Sequence, residues 1–187
     1  MVKLEKGKKY YVKGFNFKGE SLLYDELFGI DYWVPTKNDG QFCRIAGLSD
    51  RTAGQWERQI FKNGCWLAAV AVLGGKTQRD IQQSLGWSDD AFYAIVMEKE
   101  MAEFGQMCGT ELTTINYMSA DAIYNAVDGR KPVMLGVPGH VVVIYAMSAD
   151  KQQVSVWDPD GAKLKPWTMD DVKKFGKLAF IAKNHRL

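Results

Sequence analysis

The sequence predicts an α+β domain in which a helical first half is followed by an antiparallel sheet. Helix-type apolar patterns with capping signals fill residues 65 to about 127, and strand-type runs fill the region after Pro132. No internal repeat or low-complexity linker divides the chain. We therefore expect a single domain over residues 1–187, with a helical half at 56–130 and a sheet half at 131–187.

Residues 1 to about 55 carry weaker signals and form an N-terminal extension. They are rich in Lys, Gly, Tyr and Phe, alternate weakly, and contain a turn signal at residues 37–40. We expect short strands and loops packed on the domain. A proregion, a substrate-docking element and a part of the core all fit this composition.

Helices are predicted in the helical half from apolar periodicity and from end signals. The first is an apolar run closed by a glycine pair. The second opens at Thr77, whose oxygen can satisfy N–H groups of the first turn. The third begins after Ser88 or Asp89, and the fourth follows Ser119. The predicted helices are Cys65–Leu73, 78–84, about 89–104 and Ala120–Val127.

Strands are predicted in the sheet half, where β-branched and alternating apolar runs are bounded by turn signals. A short helix capped by Thr168 precedes the last strand. The predicted strands are Val133–Val137, His140–Met147, Gln152–Trp157, Ala162–Trp167 and Leu178–Lys183.

Charge and hydropathy exclude several classes of protein. The 24 basic and 22 acidic residues give a net charge of +2, too small to attract nucleic acid or acidic lipid. No apolar run approaches the roughly 20 residues of a membrane span, and the N-terminus lacks a secretory signal. We expect no nucleic-acid or membrane partner. The protein is expected to be cytoplasmic, or exported into a target cell by a secretion system that needs no signal peptide.

The three cysteines, Cys43, Cys65 and Cys108, are odd in number and lack metal-ligand spacing. They predict reduced thiols, with no disulfide framework, metal site or cofactor. Cys65 differs from the others because it opens an apolar helix, between Gly64 and Trp66. The positive end of the helix macrodipole favours the thiolate, which is the nucleophile. Cys43 and Cys108 are interpreted as inert.

The base and its carboxylate are expected from the sheet half. Of the two histidines, His140 begins a strand, whereas His185 lies in the C-terminal tail. Asp158 ends the next strand, and Asp160 is an alternative carboxylate in the same turn. A three-residue loop at 148–150 would set His140 directly opposite Asp158 on one face of the sheet.

Gln59 precedes Cys65 by six residues. Its side-chain amide is expected to join the Cys65 backbone N–H in an oxyanion hole. With a base and a carboxylate, this set predicts acyl transfer through a thioester. We expect the neighbours of the nucleophile and the base, Gly64, Trp66 and Gly139, to bind substrate.

The order Gln59, Cys65-Trp66 at the head of a helix, His140 and Asp158 resembles that of papain-like cysteine peptidases. The strings Gly-His-Val-Val-Val-Ile-Tyr and Val-Trp-Asp-Pro, which contain the base and the carboxylate, are most similar to bacterial double-glycine leader peptidases and papain-like effector proteases. The resemblance covers roughly residues 55–183. The base follows the nucleophile by 75 residues, which excludes a full-length papain or cathepsin and favours a compact bacterial branch.

This resemblance implies a papain-like fold and an endopeptidase with a Cys65–His140–Asp158 catalytic triad and no cofactor. It implies a protein or peptide substrate and a narrow cleft that prefers small residues, such as Gly-Gly, beside the cut bond. It also implies a bacterial effector or toxin with a cognate inhibitor (immunity) protein in the producer.

Two alternative functions fit the same residues. An Asp at position 158, where the plant enzyme has Asn, is shared by leader peptidases, transglutaminases and some deamidases. A transglutaminase-like or deamidating enzyme acting on glutamine side chains is therefore one alternative. A catalytically inactive binding module with the same fold is the other.

Overall fold

The structure is a computed structural model, and it confirms the α+β class. Helices lie beside an antiparallel sheet, as the sequence predicts. The structure describes residues 11–15, 20–25, 30–35, 58–88, 98–148 and 150–185.

The described part of the N-terminal extension consists of short strands, as expected. They form an antiparallel sheet in the order β1-β2-β3, and β1 contacts strands of the larger sheet. The predicted turn at 37–40 lies outside the described residues. The strands are β1 Tyr11–Phe15, β2 Glu20–Asp25 and β3 Ile30–Pro35.

Three of the described helices begin directly after the predicted capping residues. Thr77 and Thr168 each form a capping box with the third helical residue, and the Ser119 side chain accepts a hydrogen bond from a backbone N–H of the first turn. The predicted start of the third helix lies outside the described residues. In the described ranges the helices are α1 Cys65–Gly74, α2 Gln78–Ser84, α3 Glu98–Met107, α4 Ala120–Asp128 and α5 Met169–Phe175. No described helix is both long and apolar enough to cross a membrane.

The larger antiparallel sheet has the order β4-β9-β5-β6-β7-β8. The bounds of β5 and β6 match the prediction, and β7 and β8 lie one residue later than predicted. The helical half also contains a strand, β4, which was not predicted because three residues are too few to show alternation. The strands are β4 Leu112–Thr114, β5 Val133–Val137, β6 His140–Met147, β7 Gln153–Asp158, β8 Lys163–Thr168 and β9 Leu178–Ala182.

Helix α1 lies in the core and fixes the position of its first residue, Cys65. Every residue from Cys65 to Leu73 is at most 9% exposed. A helix that is apolar on all sides is a core helix, and α1 packs against β5, β6 and β9. At its far end Gly75 adopts a left-handed conformation with φ 64° and donates a hydrogen bond to a carbonyl of the last turn. A Cβ on Gly75 would lie 2.5 Å from His185 Cε1, so this end of the helix is closely packed.

The loop between β6 and β7 is longer than predicted. Met147 pairs with Val154, and residues 148–152 connect the end of β6 to the start of β7. The Ser148 hydroxyl accepts a backbone N–H at 3.0 Å and donates to Asp150 Oδ1. The predicted three-residue loop at 148–150 is wrong because these side-chain hydrogen bonds stabilise a wider turn.

A β-bulge in β6 determines which face of the sheet carries His140. The pairing register shifts by one residue at Tyr145. Without that shift, the pairing at the loop would leave His140 and Asp158 on opposite faces, because side chains alternate along a strand. With it, continuing the ladder by one pair sets Val142 opposite Asp158, and His140 is a diagonal neighbour on the same face. The predicted direct opposition of His140 and Asp158 is therefore wrong, although they share a face as expected.

Candidate active site

Cys65 is the first residue of α1, as predicted. Gly64 at the N-cap provides no side chain to bond the N–H groups of the first turn. Cys65 is 9% exposed, so its side chain lies just below the surface. The Cys65 side chain is also the main cause of the raised pKa of His140, so the two side chains are close enough to interact. The structure thus places the predicted nucleophile beside the predicted base.

His140 bridges Cys65 and Asp158. Its Nε2 lies 2.7 Å from Asp158 Oδ1. Because Nε2 is bonded to the carboxylate, Nδ1 is the ring nitrogen left for the sulfur. The hydrogen bond with Cys65 is the main cause that raises the pKa of His140 to about 9; burial opposes this rise and Asp158 adds to it. The ring is therefore an imidazolium at neutral pH and has a proton to donate on each side.

Asp158 accepts hydrogen bonds on both carboxylate oxygens. Oδ1 accepts from His140 and, at 3.0 Å, from the backbone N–H of Asp160, while Oδ2 lies 2.6 Å from Lys165 Nζ. Burial alone would raise the pKa of Asp158, but the bonds from Lys165, His140 and the Asp160 N–H lower it below its ordinary value. Asp158 is therefore a carboxylate at neutral pH and stabilises the imidazolium.

The geometry separates Asp158 and His140 from the alternatives in the sequence. The Asp160 side chain is 66% exposed and lies 3.7 Å from Arg58, whereas the carboxylate bonded to His140 is that of Asp158. His185 packs beside Gly75 at the opposite end of α1 from Cys65. Of the two carboxylates and two histidines considered, Asp158 and His140 are the pair at the thiol.

Gln59 lies in the loop before α1, where its amide bonds within the loop. Its Nε2 donates to the carbonyls of Phe61 and Lys62, at 3.2 and 2.9 Å. Its backbone N–H donates to the Pro159 carbonyl at 3.0 Å and so joins the loop to the turn after Asp158. The oxyanion role of Gln59 stays a prediction, and it requires one amide N–H to leave its present acceptor.

Gln78, which sequence reasoning missed, holds the same loop. The residue is 1% exposed; its Oε1 accepts from the Ile60 N–H at 3.1 Å and its Nε2 donates to the Arg58 carbonyl at 3.0 Å. Gln78 thus binds the backbone on both sides of Gln59. The sequence gives one weak signal for this role, a glutamine directly after the capping Thr77.

The three residues expected to bind substrate have different surroundings. Gly64 is buried, and a Cβ there would lie 3.1 Å from Phe61 Cβ. Trp66 is 4% exposed, and its ring meets that of Phe104 edge-on with centroids 4.3 Å apart. Gly139 is exposed, in the turn before His140. Substrate contact by these residues stays a prediction, and the role that the structure shows for Trp66 is packing.

The other thiol in the described ranges has an environment typical of an inert cysteine. Cys108 is 2% exposed, and burial raises its pKa to about 12. Cys43 lies outside the described residues. Among the described side chains, no group of three or more His, Cys, Asp or Glu is placed to hold a metal ion.

Comparisons with known proteins leave the function to be argued from this geometry. No protein-family model matches the chain, and no significant match was found among curated proteins.

Proposed function

We propose that this protein is a papain-like cysteine peptidase that hydrolyses peptide bonds of a protein substrate. The observation that carries the proposal is the position of His140, whose ring interacts with the Cys65 side chain and lies 2.7 Å from the Asp158 carboxylate. A thiol that contacts a histidine oriented by a carboxylate is the arrangement that nucleophilic acyl transfer needs. The position of Cys65 at the start of a helix beside an antiparallel sheet supports the same assignment.

The first half of the proposed reaction forms a thioester. The Cys65 thiolate attacks the peptide carbonyl carbon, and the carbonyl oxygen becomes an oxyanion. The Cys65 backbone N–H is one donor for that oxyanion, because the first N–H groups of a helix have no partner within it. His140 then gives its Nδ1 proton to the leaving amine, and the C–N bond breaks.

The second half releases the product. His140, now neutral, takes a proton from a water molecule, which attacks the thioester and restores the thiolate. Asp158 keeps the ring in one orientation throughout and stabilises each imidazolium that forms. Since Asp158 is held from both oxygens, its orientation does not depend on the protonation state of His140.

The test is exposure of a bacterial lysate to the wild-type protein and to Cys65→Ala. We expect new protein N-termini with the wild type and none with the variant, because hydrolysis of peptide bonds needs the sulfur. Small residues, such as Gly-Gly, should precede the new N-termini if the cleft is narrow.

The intact masses of the treated proteins distinguish the other outcomes. Deamidation adds about one dalton without cutting the chain, and transglutamination joins two substrates, since both reactions also proceed through a thioester. Either result would replace the peptidase assignment. Unchanged masses with both proteins would favour a binding module.

A further inference from the structure

Asp158 lies between two cationic side chains that come from opposite sides of its strand. Strand β7 is flanked by β6 and β8. His140, from β6, meets Oδ1, and Lys165, from β8, meets Oδ2 at 2.6 Å. In the β7–β8 ladder Lys165 is paired with Val156, so it reaches Asp158 diagonally.

The ion pair with Lys165 offsets part of the cost of burying the Asp158 carboxylate. The Asp158 side chain is only 10% exposed, and a buried carboxylate is costly unless its oxygens are bonded. The bonds from His140 and from the Asp160 N–H both go to Oδ1. Lys165 alone provides the ion pair on Oδ2 in the described residues, and a bond there opposes rotation of the carboxylate about its last torsion.

We propose that Lys165 is a positioning residue: it holds the Asp158 carboxylate so that Oδ1 stays directed at His140 Nε2, which keeps the other ring nitrogen directed at Cys65. Lys165 acts through Asp158 and has no direct part in the chemistry. The catalytic consequence rests on the proposed peptidase function, whereas the effect on the His140–Asp158 bond does not.

Lys163 provides a matched control on the same strand. It is exposed, and its backbone pairs directly with Asp158. Its side chain extends toward Gly161, with Cε 3.2 Å from where a Cβ would lie on that glycine, and it forms no ion pair with a described residue. Lys163→Met removes the same charge as Lys165→Met, two positions away, without touching a carboxylate oxygen.

The spectroscopic test follows the His140 Nε2–H proton by NMR. The chain has two histidines, so a His185→Gln variant assigns the imidazole signals. A proton shared with a carboxylate at 2.7 Å resonates far downfield and exchanges slowly. We expect this signal to move upfield or broaden in Lys165→Met, and to persist in Lys165→Arg and Lys163→Met.

The kinetic test follows kcat and KM on a peptide that the wild type cuts. We expect kcat to fall by about 10–100-fold in Lys165→Met with little change in KM, because a misdirected base slows the chemical step rather than binding. Lys165→Arg should restore most of kcat, since it keeps the charge and the donors. If circular dichroism shows that Lys165→Met is misfolded, Lys165→Gln serves as the neutral variant.

An unchanged Nε2–H signal in a folded, neutral Lys165 variant would overturn the proposal. An equal loss of kcat in Lys163→Met would do so as well, because it would reduce the effect to surface charge. If no variant or wild type cuts any peptide but the signal changes as expected, the positioning role stands and the peptidase assignment fails.

Discussion

Cys65→Ala is expected to lower kcat/KM for peptide hydrolysis by at least about 10,000-fold, to the level of slow background hydrolysis. In the proposed reaction the Cys65 sulfur forms the thioester, so without it water would have to attack the peptide bond directly. The fold should persist, because Cys65 occupies the first position of α1 at the edge of the core and alanine is the strongest helix former. The measurement is steady-state kinetics, with circular dichroism to verify folding.

Cys108→Ala is the matched control for the nucleophile. Cys108, like Cys65, is a buried cysteine. It is 2% exposed, and burial raises its pKa to about 12. We expect full activity per folded molecule. We also expect iodoacetamide near neutral pH to modify Cys65 and to spare Cys108. Turnover that survives in Cys65→Ala would refute the assignment of the nucleophile.

His140→Ala is the second substitution with a large expected effect, again at least about 10,000-fold in kcat/KM. In the proposed reaction two steps would fail together, since the leaving amine would receive no proton and the thioester would have no base to activate water. The variant also removes the base that would take the Cys65 proton as the sulfur reacts. Alkylation of Cys65 at pH 7 should therefore slow as well, which is measured by mass spectrometry without any substrate.

His185→Gln is the control for the base. His185 lies at the far end of α1, beside Gly75, and a helix of 10 residues is about 15 Å long. This variant should keep both turnover and the alkylation rate of Cys65. The role of His140 would be contradicted if His140→Ala retained rapid alkylation of Cys65, or if the two histidine variants lost activity to the same extent.

The sequence predicts the features of this fold that depend on local chemistry. Thr77, Ser119 and Thr168 predict helix starts because their side chains accept hydrogen bonds from unpaired N–H groups of the first turn. Short β-branched runs predict the bounds of β5 and β6. The contact among Cys65, His140 and Asp158 could be expected because a thiol, an imidazole and a carboxylate occur at element ends that an α+β fold brings together.

The features that escaped prediction depend on register and packing. The bulge at Tyr145 leaves no sequence signal, yet it decides whether His140 and Asp158 share a face. From the sequence alone Lys165 is an ordinary lysine of an edge strand, and only the β7–β8 pairing shows that it is close to Asp158. From the sequence alone Gln78 is only the first residue of a helix, and the structure shows that it is buried and bonded to the loop that contains Gln59.

The most direct test of the central claim, that thiol and imidazole form one unit, is an NMR titration of the His140 ring in the wild type and in Cys65→Ala. In the wild type we expect a pKa of about 9, so the imidazolium is present through neutral pH and is lost as the pH rises through that value. In Cys65→Ala the pKa should fall toward the ordinary range of histidine, because the bond from Cys65 is the largest cause of the rise. The same pKa in both proteins would show that the sulfur and the ring do not interact, and would contradict the account.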